Sequence, residues 1–202
     1  APAERTTAAP DASWQTISFE DVSFTYPGRD VEVVHNVDFT IEPKLTTALV
    51  GPSGAGKTTL AALALRLADP TRGVVRCGGT DLRELAVADW RSQCAYLPQR
   101  ARLYAGTVAE NLRLGRAAAT DDELWDALLA AAAAELVSEL PQGLETVVGE
   151  GGRGLSAGEA QRIAIARAFV RDAWLLVLDE PSAHLDEESA AAVDSALDRL
   201  RR

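Results

Sequence analysis

The sequence predicts an α/β fold, and three stretches carry that expectation. The first is Gly51-Pro52-Ser53-Gly54-Ala55-Gly56-Lys57-Thr58-Thr59, which fits the spacing G-x-x-x-x-G-K-[ST] without a mismatch. An apolar run before it, residues 47–50, reads as a buried strand, and residues 60–67 after it read as a helix. The second is Trp174-Leu175-Leu176-Val177-Leu178-Asp179-Glu180, a short apolar run that ends in two carboxylates. A run of this kind reads as a strand buried on both faces, as in a parallel sheet with helices on each side. The third is the middle of the chain, where helical patterns over 107–114, 121–132 and 133–140 follow one another between mixed flanks. That middle section reads as an inserted helical subdomain, over about residues 100–158.

In chain order, residues 1–13 are rich in Ala, Pro and Thr with no apolar period, and read as a flexible tail or linker. Ile17, Phe19, Val22 and Phe24 alternate loosely with polar residues, as in a strand. The turn at Tyr26-Pro27-Gly28-Arg29-Asp30 ends it, and a second strand pair is expected over 31–34 and 37–41. Tyr26, at that turn, either packs in the core or offers its face to an adenine base. Asp69-Pro70-Thr71-Arg72-Gly73 reads as a turn, 73–76 as a short strand, 87–92 as a short helix and 94–97 as a strand ending at Pro98-Gln99. Thr120 or Asp121 is the expected N-cap of the helix over 121–132. A periodic helix over 159–170 turns Ile163, Ile165, Ala166 and Phe169 to its apolar side.

The chemistry follows from residue types. Glycines let the backbone of the 51–59 loop wrap closely around an anion, and consecutive N–H groups then point inward at phosphate oxygens. The start of the following helix adds partial positive charge. Lys57 places a point charge on the β- and γ-phosphates, and the Thr58 hydroxyl is placed to ligate Mg²⁺. Ligands of open α/β sheets bind at the carboxyl ends of the strands, where Asp179 and Glu180 lie. Asp179 fits the acidic partner that holds Mg²⁺, and Glu180 the group that orients or deprotonates an attacking water.

Composition narrows the partners. The 202 residues carry a formal net charge of −10, which argues against a nucleic-acid partner. No apolar run approaches the roughly 20 residues needed to cross a bilayer, and 1–13 lacks the basic start and apolar middle of a signal peptide. Cys77 and Cys94 have neither metal nor redox spacing, and read as small reduced core residues of a cytosolic compartment.

Taken together, the motifs resemble the nucleotide-binding domain of ABC transporters. Gly51 to Thr59 resembles the first Walker motif, and Leu175 to Glu180 the second. Leu155-Ser156-Ala157-Gly158-Glu159 is similar to the family signature Leu-Ser-Gly-Gly-Gln, Ser182-Ala183-His184-Leu185-Asp186 to its D-loop, and Gln99 stands where the family has its Q-loop glutamine. Tyr26 is similar to the adenine-stacking aromatic. The resemblance covers 14–202 and implies a P-loop NTPase core with a mostly parallel sheet, an N-terminal antiparallel β subdomain and the inserted helical subdomain. It implies ATP and Mg²⁺ as ligands. Tyr26, Gly51, Ser53, Gly54, Ala55, Gly56, Lys57, Thr58, Thr59, Ser156 and Gly158 are the implied nucleotide contacts. Thr58, Gln99 and Asp179 are the implied metal donors, and Glu180 and Gln99 the implied catalytic pair. The implied partners are membrane-spanning domains of the same transporter and a second nucleotide-binding domain, in a homo- or heterodimer. The implied location is the cytoplasmic face of the inner membrane, with this stretch itself soluble.

Val148-Gly149-Glu150-Gly151-Gly152 and Ala105-Gly106-Thr107-Val108-Ala109-Glu110-Asn111 resemble exporters. Together with 181–186 they look closest to the thiol reductant (cysteine or glutathione) exporter half-transporter of cytochrome bd assembly. The sequence departs from the family pattern at Ala157 and Glu159, which stand for glycine and glutamine. Neither His35 nor His184 matches the switch histidine, so the chain looks C-terminally truncated. A degenerate module that holds ATP without hydrolysing it, and a soluble ABC protein of DNA repair or translation, are the alternatives. Glu180 speaks against the first, and a single cassette without a coiled coil against the second.

Overall fold

The computed structural model describes residues 15–183 and 185–200, so the tail expected over 1–13 and the D-loop residue His184 lie outside the described residues. The chain divides into two units, Ala1–Cys94 and Ala95–Arg202.

In the first unit, strand β1 (Ile17–Thr25) buries Ile17 and Phe19, then Val22 and Phe24. The change of phase has a local cause. Asp21 takes a left-handed φ of 48°, and the register with strand β2 (Glu32–Ile41) shifts between Phe19 and Val22. An extra residue there returns the next apolar pair to the buried face, which is why the alternation in the sequence is loose. Phe19 stacks on Phe39 across the pair, with ring centroids 4.3 Å apart. β2 is one strand where two were expected over 31–34 and 37–41. Asn36, at φ 40°, absorbs the irregularity without ending the ladder. Its N–H donates to Ser23 Oγ at 2.9 Å, and that buried hydroxyl donates back to Asn36 Oδ1 at 3.0 Å.

Helix α1 (Lys57–Ala64) follows the phosphate loop, and strands β3 (Arg72–Cys77) and β4 (Thr80–Asp81) complete an antiparallel sheet in the order β2-β1-β3-β4. Short helix α2 (Val87–Ser92) closes over the end of α1. Trp90 Nε1 donates to Ala64 O, on the last residue of α1, at 3.0 Å and Arg91 Nη2 to Arg66 O at 2.6 Å, so side chains of α2 satisfy carbonyls at the end of α1 and just beyond it. Arg66 is 1% exposed, and its guanidinium donates to the carbonyls of Leu85 and Arg83.

One expected element is missing. Residues 47–50 form no strand; Leu49 is 39% exposed and Val50 93%. Apolar composition alone does not make a strand: its N–H and C=O groups need a neighbouring backbone, and the β2-β1-β3-β4 sheet of this unit does not include that run.

Strand β5 (Cys94–Leu97) starts on the last residue of the first unit, and the second unit continues with β6 (Gly106–Thr107), α3 (Val108–Arg113), α4 (Asp121–Ala130) and α5 (Ala134–Ser138). Then come β7 (Val147–Val148), α6 (Ala157–Arg171), β8 (Leu175–Leu178) and α7 (Glu187–Leu200). Helices α3, α4 and α6 each start on a reciprocal capping box, Thr107 with Glu110, Thr120 with Glu123 and Ser156 with Glu159. In each, the hydroxyl accepts from the glutamate N–H while the carboxylate accepts from the cap N–H, so two open donors are satisfied at once. Leu112, Leu124, Leu128, Val137, Ile163, Ile165, Val193 and Leu197 form the core, with α6 packed against α3, α4 and α7.

β8 pairs with β5. It was expected to be buried on both faces, but only Leu175 is, at 6% exposure, while Leu176, Val177 and Leu178 are partly covered. Among the described residues this sheet has two strands, so β8 keeps an open edge.

Candidate nucleotide-binding site

The phosphate loop belongs to the first unit. Gly51, Pro52, Ser53, Gly54 and Ala55 are exposed, and Gly54 and Gly56 take φ of 82° and 88°, a region that side chains rarely adopt. At Gly56 space enforces the same choice. A Cβ there would stand 3.0 Å from Val33 O and 3.1 Å from Val34 Cγ2, so β2 itself closes the floor of the loop. Ala55 N–H donates to Pro52 O at 3.2 Å, which tightens the turn, and Gly56 is the N-cap of α1. Lys57 curls back, its Nζ donating to Gly51 O at 2.8 Å and Pro52 O at 3.1 Å. The ammonium is thus held beside the loop by backbone carbonyls. An open loop with left-handed glycines, a helix start and a tethered ammonium fits a phosphate chain.

Tyr26 is drawn to this loop's helix. Its hydroxyl lies 3.0 Å from Thr59 Oγ1, and Phe24 meets its ring edge-on with centroids 4.9 Å apart. The ring remains 41% exposed. Phe24 holds its orientation, the bond to Thr59 ties it to α1, and Thr59 itself is buried. Thr58, the next residue toward the loop, is exposed.

The carboxylates belong to the second unit. Asp179 follows β8 directly, and its N–H donates to Leu97 O at 3.0 Å, so the end of β5 fixes where the strand stops. Tyr96, on β5, donates its hydroxyl to Asp179 Oδ2 at 3.4 Å. Partial burial, with the neighbouring Asp179 charge and this hydrogen bond, raises the Tyr96 phenol above its ordinary range, so it stays a proton donor near neutrality. Glu180 is exposed and sits at φ 46°, an uncommon conformation for glutamate. A turn in which Ala183 N–H donates to Glu180 O at 3.0 Å holds it there. Gln99 Nε2 donates to Glu180 Oε2 at 3.2 Å, so the fold joins two residues 81 positions apart. Thr58 in the first unit, and Gln99 and Asp179 in the second, each carry an oxygen donor, the kind that Mg²⁺ takes in preference to a softer metal.

Ser156 and Gly158 lie at the head of α6, where the structure gives each a role inside the chain. The Ser156 hydroxyl accepts from Glu159 N–H at 3.2 Å, and Glu159 Oε2 accepts from Ser156 N–H at 2.7 Å. Glu159, read from the sequence as a charge departing from the signature pattern, is therefore half of a capping box. The S-x-x-E spacing carried that signal. A Cβ on Gly158 would stand 2.4 Å from Ser189 Oγ, so this glycine also lets α6 and α7 approach closely. Ala157 is exposed. Asp186 caps α7: its Oδ1 accepts from Ser189 N–H at 2.9 Å, and hydrogen bonds from the Ser189 backbone and side chain hold its carboxyl below the usual range. Tyr96 and Gln161 are contributors that sequence reasoning missed. The signal for Gln161 is a long polar side chain set among the apolar residues of α6.

Residues 34–183 match the family model described as "ABC transporter". The chain is 43% identical over 186 residues to the ATP-dependent lipid A-core flippase of Chromobacterium violaceum, covering 92% of this chain and 32% of the flippase. It is 42% identical over 187 residues to the protein of that name in Escherichia coli K12, with the same coverage. Among solved structures, a bacterial Atm1-family ABC exporter with ATP bound superposes with a TM-score of 0.89 and 34% identity, over 100% of this chain and 35% of that one. The chain thus spans about a third of the length of these relatives. The order of its motifs, its fold and the matched family model agree: this chain belongs to the ABC transporter family, as an ATPase domain.

Proposed function

We propose that this chain is the ATP-hydrolysing motor domain of an ABC exporter. The observation that carries the reading is the Gln99–Glu180 hydrogen bond at the end of a strand, in a chain whose phosphate loop is complete. The loop N–H groups and Lys57 hold the β- and γ-phosphates, and Tyr26 offers its exposed face to the base. Thr58, Asp179 and the Gln99 amide oxygen would hold Mg²⁺, which would supply charge neutralisation on the phosphate oxygens. Glu180 orients a water and accepts its proton as the γ-phosphoryl group is transferred. Gln99 holds the Glu180 carboxylate at a set angle. Ser156 and Gly158 face the nucleotide of a second such domain, and residues 100–158 serve as the helical subdomain of a domain spanning 14–202.

The work is coupled to membrane-spanning domains at the cytoplasmic face of the inner membrane. No helix among the described residues is long and apolar enough to cross a membrane. The likeness of 105–111 and 181–186 to thiol reductant exporters makes cysteine or glutathione the first substrate class to examine. Identity of 42–43% to lipid A-core flippases favours a lipid as the second. Stimulation of ATP turnover by one and not the other, in the transporter carrying this chain, separates them.

Glu180→Gln tests the motor. The amide keeps the shape and cannot take the proton, so turnover should fall about 100-fold or more while ATP affinity stays. Turnover at the parental rate removes Glu180 from the reaction.

A further inference from the structure

We propose that Gln161 is a positioning residue for Gln99, and through it for Glu180. Gln161 is 2% exposed, one turn into α6 and among apolar neighbours. Its Oε1 accepts from Ala101 N–H at 3.0 Å and its Nε2 donates to Pro98 O at 3.3 Å. The two bonds straddle Gln99 and Arg100. One buried amide therefore holds the backbone on both sides of the glutamine that donates to Glu180. The arrangement uses both ends of the amide, which no other side chain of that length does. An apolar residue would fill the space as well, and a buried amide is costly unless both ends are bonded, so packing does not account for glutamine here.

The tether continues along α6. Arg167 Nη1 and Nη2 reach Arg102 O at 3.4 Å, and its Nε donates to Asn111 O at 2.8 Å. Asn111 in turn accepts from Tyr104 N–H at 2.8 Å and donates to Tyr104 O at 2.9 Å. Residues 98–104 belong to no helix or strand, and side chains hang them on α6 and α3. The first of these ties, Gln161, lies two residues beyond the Ser156–Glu159 cap. A shift of the head of α6 therefore moves the backbone that carries Gln99. This deepens the proposed function, because Gln161 would link the signature segment to the Gln99–Glu180 pair.

The test uses Gln161→Met, which keeps length and apolar packing and loses both bonds, and Gln161→Glu, which keeps the acceptor for Ala101 and loses the donor to Pro98. Hydrogen exchange at the Ala101 amide should quicken about tenfold or more in Gln161→Met, while the amides of 163–170 keep their protection. ATP turnover should fall about tenfold in both variants, with ATP affinity within about twofold of the parent. Unchanged exchange at Ala101 overturns the proposal, as does unchanged turnover, or an equal loss of affinity and turnover. Should Gln161→Met fail to fold, Gln161→Glu decides on the split between turnover and affinity. A parent that neither binds nor hydrolyses ATP overturns the motor reading instead, and the exchange experiment then decides the role of Gln161 by itself.

Discussion

Replacing Gly158 by alanine would put a methyl carbon 2.4 Å from Ser189 Oγ and 2.7 Å from Ser189 Cβ. The hydroxyl can rotate away. Cβ is fixed to the backbone of α7, so α6 and α7 must part by roughly 0.8 Å or more to restore carbon–carbon contact. Overpacking of this kind costs about 1–3 kcal/mol. For a chain of 202 residues that lowers the melting temperature by about 2–12 °C. The assay is thermal unfolding without nucleotide, for Gly158→Ala, Ser189→Gly and the double variant. Ser189→Gly removes both clashing atoms, so Gly158→Ala should add little on that background, a coupling of about 1–3 kcal/mol. If Gly158→Ala melts with the parent, or if the two losses simply add, Ser189 is not the reason for glycine at this position. The requirement would then lie with a ligand approaching the head of α6.

Two further outcomes follow from the first unit. Tyr26→Ala should weaken ATP about 2- to 10-fold and leave inorganic triphosphate unchanged, because stacking acts on the base. Tyr26→Phe, which loses only the bond to Thr59, should cost less than about twofold; equal loss for both ligands in Tyr26→Ala would mean the ring serves only to pack against Phe24. Burial raises the Cys77 thiol from its usual value of 9.0 to about 11. The folded state then holds a proton that the unfolded state releases, so this stabilisation is full below pH 9 and is lost as pH rises through 11. The loss is at most roughly 3 kcal/mol, read as the difference in alkaline unfolding between the parent and Cys77→Ala. Parallel pH profiles for the two proteins would contradict it.

What the sequence by itself determined was local. The loop spacing of 51–59, the S/T-x-x-E caps, the apolar period over 159–170 and the carboxylates after 175–178 depend on residues within a few positions of each other. Backbone torsions and short hydrogen bonds read such spacings directly. The family followed from the order of these motifs. What only tertiary structure decided was which distant residues meet: Tyr26 with Thr59, Gln99 with Glu180, Gln161 with the backbone of Pro98 and Ala101, and Gly158 with Ser189. Periodicity marks which side of an element is apolar, and says nothing of what packs against it. The same limit explains the residues 47–50. Their composition favours a strand, but a strand is made by its neighbour's backbone, and the sheet β2-β1-β3-β4 gives that run none. It explains the phase change in β1 as well. The bulge at Asp21 arises only where β1 must satisfy β2 and β3 together, and neither partner can be seen from β1 alone.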